Sequence, residues 1–217
     1  MKAAGWERIY QERGDLQFDI LPRIGEASRL FKKRDYETVL DLGCGTGKHS
    51  IFLALEGFSV YATDMSRTGI DIAREKAASL GLRNIHFKQH DMSKIPFTGS
   101  FFDAVICTWT IYHGVLGRIQ ETVNEIYRVL KPGGIVLTDF LSVEDDTYGL
   151  GREIEKNTFL GEKKTEEDVP HHYSTREELV QLFSDFGKLQ LRASSNSYTD
   201  ETGKQYTRHY YDVDATR

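Results

Sequence analysis

Cysteine is scarce in this 217-residue chain, which carries only Cys44 and Cys107. Two thiols cannot build a disulfide framework or a cysteine-rich metal site, and they point to a cytoplasmic protein with free thiols. Long apolar runs are also missing. No stretch nears the roughly 20 residues that a membrane-spanning helix needs. The first twenty residues carry Trp6-Glu7-Arg8 and Glu12-Arg13 where a secretory signal would have an apolar core. Positive charge is in deficit: 28 Lys+Arg against 33 Asp+Glu give a net charge of −5. That balance offers no general attraction to nucleic acid or to an anionic membrane, so neither is expected as a partner. Repeats and low-complexity tracts are absent as well. The length suits one domain over residues 1–217, acting as a monomer or homodimer.

The most telling segment runs from Val39 to Gly47, Val-Leu-Asp-Leu-Gly-Cys-Gly-Thr-Gly, followed by Lys48 to Leu55 with helical apolar spacing. A strand, a glycine turn and a helix start in this order form a notch. There the backbone can take positive φ, and unpaired helix N–H groups face a ligand. The dinucleotide fingerprint places glycines at its first, second and sixth positions. Gly43 and Gly45 meet the first two, but Lys48 stands at the sixth, which counts against a nicotinamide-dependent oxidoreductase. The sequence instead has Gly47 and, two residues ahead of the first glycine, Asp41.

Around this notch strands and helices alternate, as in a parallel sheet covered on both faces. Helices are expected at Trp6–Arg13 and Asp19–Lys33, with the aromatics Trp6, Tyr10 and Phe18 read as helix packing. Strands are expected at Phe58–Thr63, Ile85–Gln89, Phe101–Thr108 and Ile135–Phe140. Helices fall between them, one near Ile70–Leu80 and one near Ile119–Leu130, and Lys131–Gly134 reads as a turn. From Ser142 to Ser174 the chain turns polar and irregular, which suggests a lid. A capped helix at Thr175–Phe186 and two strand-like runs, Lys188–Ser197 and Lys204–Tyr211, end it.

Asp41-x-Gly43-x-Gly45-x-Gly47 in its strand–turn–helix context resembles motif I of the class I S-adenosylmethionine (SAM)-dependent methyltransferases. Phe101–Cys107 with Thr108-Trp-Thr-Ile-Tyr-His113 is similar to motif IV of the small-molecule members, and Arg128–Gly134 followed by a strand completes the likeness. The resemblance covers about residues 36–141 closely and the flanks in outline. It groups the chain with the methyltransferase type 11, ubiquinone-biosynthesis and tellurite-resistance methyltransferases.

The resemblance implies an α/β, Rossmann-like, doubly wound seven-stranded sheet of order 3-2-1-4-5-7-6 with the last strand antiparallel. Residues 1–35 would be helices over the site, 36–141 the cofactor core, 142–174 a lid and 175–217 a helix and hairpin. SAM is the implied cofactor, with S-adenosylhomocysteine (SAH) as its product. Asp41, Gly43, Cys44, Gly45, Gly47 and His49 would form the cofactor notch. Asp64, about twenty residues past Gly43, and Met65 would meet the ribose. Asp91 and Met92 would meet the adenine, Cys107 and Thr108 the sulfonium region, and Tyr10 would cap the donor. Asn/Asp-Pro-Pro-Tyr, usual where nucleic-acid bases are methylated, is absent, which favours a small-molecule acceptor.

The catalytic residue is open among His113, His171 and Tyr112, since a neutral histidine can take a proton near pH 7. No metal is expected, because adjacent His171 and His172 would point opposite ways in an extended segment and no ligand cluster accompanies them in linear spacing. A SAM-binding protein without turnover, acting as a sensor or assembly factor, and a methyltransferase for protein or nucleic acid are the alternatives.

Overall fold

The structure is a computed structural model that describes residues 4–16, 19–161, 166–200 and 203–217. Phe18 lies outside the described residues. The elements in chain order are α1 (Ala4–Arg13), α2 (Pro22–Lys33), β1 (Thr38–Leu42), α3 (Lys48–Leu55), β2 (Ser59–Asp64), α4 (Arg67–Ser79), β3 (Ile85–Gln89) and β4 (Phe102–Cys107). They continue with α5 (Leu116–Val129), β5 (Leu130–Ser142), β6 (Arg152–Glu155), β7 (Thr158–Leu160), β8 (His171–Ser174), α6 (Arg176–Leu182), β9 (Lys188–Thr199) and β10 (Gln205–Thr216).

The strands β3-β2-β1-β4-β5 are parallel neighbours. β10 then pairs antiparallel with β5, from Tyr210↔Leu141 to Thr216↔Ile135, and β9 pairs antiparallel with β10. This is the expected 3-2-1-4-5-7-6 order, with β9 and β10 as its sixth and seventh strands. Successive residues of β1 face opposite sides of the sheet, as the pleat requires. Val39 packs with Ile24 and Phe31 of α2 and Leu53 of α3, while Leu40 packs with Ile126 of α5 and Leu182 of α6. The apolar runs of β1, β4 and β5 are thus covered on both faces.

Three local outcomes differ from the sequence reading. Helix α2 starts at Pro22 rather than at Asp19 because proline has no N–H to donate and fits the first helical position, with Leu21 extended before it (φ −64, ψ 131). Residues 131–134 are a bulge within β5 rather than a turn: Phe102 pairs with Leu130, and Ala104 pairs with Ile135. The segment after β5 is not irregular throughout. β6, β7 and β8 form a small antiparallel sheet that joins β5 in parallel at Leu141↔Tyr173 and Ser142↔Ser174.

On one edge β5 pairs with β10 as far as Tyr210↔Leu141; on the other it pairs with β4 as far as Cys107↔Thr138 and then, at its upper end, with β8. β10 outruns β5 there, and two carboxylates take over as acceptors. Asp146 Oδ2 accepts from the Thr207 N–H at 2.6 Å, and Asp145 Oδ2 accepts from the His209 N–H at 2.9 Å. Arg23 of α2 crosses to the same strand, pairing with Asp212 at 2.7 Å and Asp214 at 2.8 Å.

Candidate active site

At the carboxyl ends of β1, β2 and β4 lies a cavity of about 460 Å³, the position where open α/β sheets hold ligands. Its floor is the turn from β1 to α3. The Gly43 and Cys44 N–H groups donate to the Thr63 carbonyl at 2.7 and 2.9 Å, which fixes the turn against the end of β2. Gly43 and Gly45 have φ of +77° and +54°, and α3 begins behind Gly47 at φ +82°. A Cβ at Gly43 would lie 2.2 Å from Thr110 Cγ2, and one at Gly45 would lie 2.5 Å from Tyr10 Oη. Glycine is required at both places by the turn and by the space above it.

Asp64 closes this turn from the side. Its Oδ2 accepts from the Gly45 N–H at 2.9 Å and its Oδ1 from the Ser66 N–H at 2.8 Å. Burial raises its pKa, opposed by those backbone donors. Asp41 is buried beneath the loop and accepts from Ser50 Oγ at 2.5 Å. Burial pushes it up to about 6, with Asp64 adding and Ser50 opposing. His49 accepts the Leu21 N–H at Nε2 (3.3 Å), so the proton sits on Nδ1, facing Thr108 Oγ1 at 3.1 Å. Burial, helped by Lys48, lowers its pKa to about 3 and keeps the ring neutral.

At the β3 end, Asp91 Oδ1 accepts from the Ser93 N–H at 2.9 Å, and Oδ2 pairs with Arg118. His90 Nδ1 lies 2.9 Å from the Asp91 carbonyl, a contact that needs a proton on Nδ1 and leaves Nε2 an acceptor. His90 Nε2 and Ser93 Oγ are buried with no hydrogen-bond partner among the described residues, and both residues line the cavity.

The opposite end is formed by the turn after β4, by α1 and by the start of the 166–172 segment. Trp109 sits in the left-handed region at φ +54°, an uncommon place for a non-glycine residue, and its N–H donates to Asp139 at 2.8 Å. Trp6 lies 5.2 Å from the His113 ring, and His113 lies 4.9 Å from His171. The His172 N–H donates to the Tyr112 carbonyl at 2.9 Å, tying β8 to the His113 turn. α1 is pinned over the cavity by Glu7, which accepts from Ser66 Oγ at 2.6 Å and Thr68 Oγ1 at 2.7 Å.

Of the sequence-derived site residues, Tyr10, Asp41, Gly43, Cys44, Gly45, His49, Asp64, Met65, Asp91, Met92, Thr108, Tyr112 and His113 all line this one cavity. Gly47 faces Ala73 instead, Cys107 lies in the core beside the sheet, and His171 stands behind His113. Among the residues that the sequence reading missed, His90, Arg118, Glu166 and Arg208 are also on the wall. His90 and Arg118 had a faint signal in their neighbours Asp91 and His113. Arg208, on a hairpin strand far along the chain, had none.

Asp139 supplies a pH test. Burial pushes its carboxyl up to about 7 despite Arg23 nearby, whereas an unfolded aspartate titrates near ~3.9. Its contribution to stability is therefore complete below about pH 4 and is lost as pH rises towards about 7. Asp139→Asn keeps an oxygen for the Trp109 N–H. It is expected to melt above the parent at about pH 8 and level with it near pH 4, in paired thermal scans.

Comparison with known proteins agrees with this geometry. The family described as "Methyltransferase domain" matches residues 39–134. A Bacillus subtilis (strain 168) protein named as a methyltransferase, YqeM, is 32% identical over 206 residues, covering 94% of this chain and 79% of that one. The demethylmenaquinone methyltransferase of Clavibacter sepedonicus is 37% identical over 105 residues, 48% of this chain and only 41% of its own length. Among solved structures, a SAM-dependent methyltransferase of Methanosarcina mazei superposes with a TM-score of 0.70 at 24% identity, covering 91% of this chain and 98% of that one. The 1,6-didemethyltoxoflavin-N1-methyltransferase of Burkholderia thailandensis, solved with 1,6-didemethyltoxoflavin and SAH, gives 0.69 at 17% identity over 99% of this chain and 86% of that one. These likenesses, together with the glycine turn and the strand order, make the chain a member of the class I SAM-dependent methyltransferase family, whose cofactor is SAM.

Proposed function

We propose that this chain transfers the methyl group of SAM to a small-molecule acceptor held at the His113 end of the cavity. The observation that carries the reading is one continuous cavity of about 460 Å³. It runs from the glycine turn and Asp64 to a second end walled by Trp109, His113 and Arg208. That volume is in the range of small-ligand sites.

The residues present fit SAM. The turn at Gly43–Gly45 lines the cavity with main chain. Asp64 offers carboxylate oxygens to ribose hydroxyls. Buried His90 Nε2 and Ser93 Oγ meet the need of an adenine ring for polar partners, His90 as acceptor for its amino group. Bound SAM supplies a methyl already activated on a sulfonium. The protein's own work is then to align the acceptor and keep water out. Tyr10 on α1 covers the donor side, and Trp6 with Glu166 and Val169 covers the acceptor side. The aromatic face of Tyr10 also suits a cationic sulfur. His113, with Tyr112 beside it, is placed to orient the acceptor or take its proton.

SAH at ~100 times its dissociation constant is expected to stabilise the chain by about 2.7 kcal/mol, seen as a raised melting temperature, while NAD and NADP leave it unchanged. A shift with the dinucleotides alone would overturn the cofactor assignment. A screen of small-molecule acceptors with methyl-labelled SAM tests transfer. Tight SAH binding with no labelled product from any acceptor class would favour the sensor reading.

A further inference from the structure

We propose that His113, Glu166 and His171 form a binding site for one divalent transition-metal ion at the acceptor end of the cavity. One ligand atom from each residue lies within 4.8 Å of the others. Both histidines are buried, Glu166 is half-buried, and the His171 Nε2 to Glu166 Oε2 separation is 2.8 Å. An ion with bonds of about 2.0–2.2 Å holds neighbouring donors roughly 3 Å apart. The histidine–glutamate edge already has that spacing, and the edges to His113 need only a side-chain adjustment.

The scaffold holds the trio from two segments, the turn after β4 and residues 166–171. The His113 N–H donates to the Thr110 carbonyl at 3.0 Å, closing a tight turn after β4. The His172 N–H bonds to the Tyr112 carbonyl, locking the first residue of β8 beside that turn. The two imidazoles meet at 88° with centroids 4.9 Å apart, so they are crossed rather than stacked. Trp6 packs on the outer side of His113.

Two imidazoles and one carboxylate suit zinc, cobalt, manganese or ferrous ions, whereas magnesium prefers an all-oxygen shell. Three protein ligands leave coordination positions open, as in catalytic rather than structural sites. His113 and Glu166 are on the cavity wall, so those positions face the acceptor space. An ion there would bind an acceptor oxygen or thiol and favour its deprotonated form. Because metal binding is read on the chain alone, the site stands apart from the methyl-transfer proposal.

The test uses the full chain, stripped with a chelator and dialysed, then titrated with Co²⁺ and followed by visible d–d absorption and metal analysis. One Co²⁺ per chain is expected, displaced by Zn²⁺ and unaffected by Mg²⁺. Glu166→Gln and His113→Gln should each weaken Co²⁺ binding at least tenfold. His86→Gln, at an exposed position on β3, should not change it. SAH binding by each variant, read by thermal shift, shows that the cavity is still folded. If a variant fails that check, the Co²⁺ spectrum of the parent, with nitrogen ligands and one ion per chain, still decides the matter. No stoichiometric Co²⁺ binding, or binding that survives both folded variants, overturns the site.

Discussion

Gly43→Ala is expected to fold with reduced stability and to lose SAH affinity by more than tenfold. Gly43 has φ +77°, and an alanine there costs roughly 1–2 kcal/mol for the left-handed backbone alone. In a chain of this size that amounts to about 2–8 °C in melting temperature. The added methyl would also lie 2.2 Å from Thr110 Cγ2 and 2.9 Å from its Cβ. Thr110 cannot yield freely, because its hydroxyl donates to the Thr108 carbonyl at 2.9 Å. The loop must move instead, and the loop is the floor of the cavity. A tenfold loss corresponds to about 1.4 kcal/mol, less than the strain and the clash together. Isothermal calorimetry with SAH reads the result directly, and an affinity equal to the parent's would show that this turn does not approach the cofactor.

Asp64→Ala is the second large effect. Removing a charged acceptor for ribose hydroxyls is expected to weaken SAH by about 1.5–3 kcal/mol, roughly 10- to 150-fold. The structure adds a second consequence. The same carboxylate ties the Gly45 and Ser66 N–H groups, so the alanine variant also leaves two backbone donors to find water. Asp64→Asn separates the two roles: it keeps one oxygen and the side-chain volume, and should bind SAH with intermediate affinity and a near-parental melting temperature. Unchanged affinity in the alanine variant, with only stability lowered, would confine Asp64 to holding the turn.

Much of this arrangement was legible because it is local. The glycine spacing at 43, 45 and 47 and the alternation of strands with helices lie within short windows; they carried the family resemblance, and the resemblance implied the sheet order. The capped start of α6 at Thr175 was equally plain, and Thr175 does accept the Glu178 N–H at 3.2 Å. What escaped notice depends on distant segments meeting. His113, Glu166 and His171 have no ligand spacing in the chain, and the Tyr112–His172 backbone bond helps bring them together. Glu7 pins α1 through Ser66 and Thr68, about sixty residues further along the chain. The strands β6 to β8 were hidden by their polarity and shortness: β8 reads His-His-Tyr-Ser, yet all four of its residues are buried. The bulge at 131–134 looked like a turn because glycine and proline punctuate both.

The two carboxylates beside β10 have a consequence for how the protein behaves at high concentration. Where β10 extends past the end of β5, the Thr207 and His209 N–H groups would present a bare sheet edge, the feature through which folded chains recruit one another into intermolecular strands. Asp146 and Asp145 occupy those donors, Asp145 from a buried position, and the exposed Asp146 places negative charge on the rim. The same two side chains that moor the acceptor-side segment therefore act as guards against self-association, so changes made there to alter substrate choice bear on solubility as well.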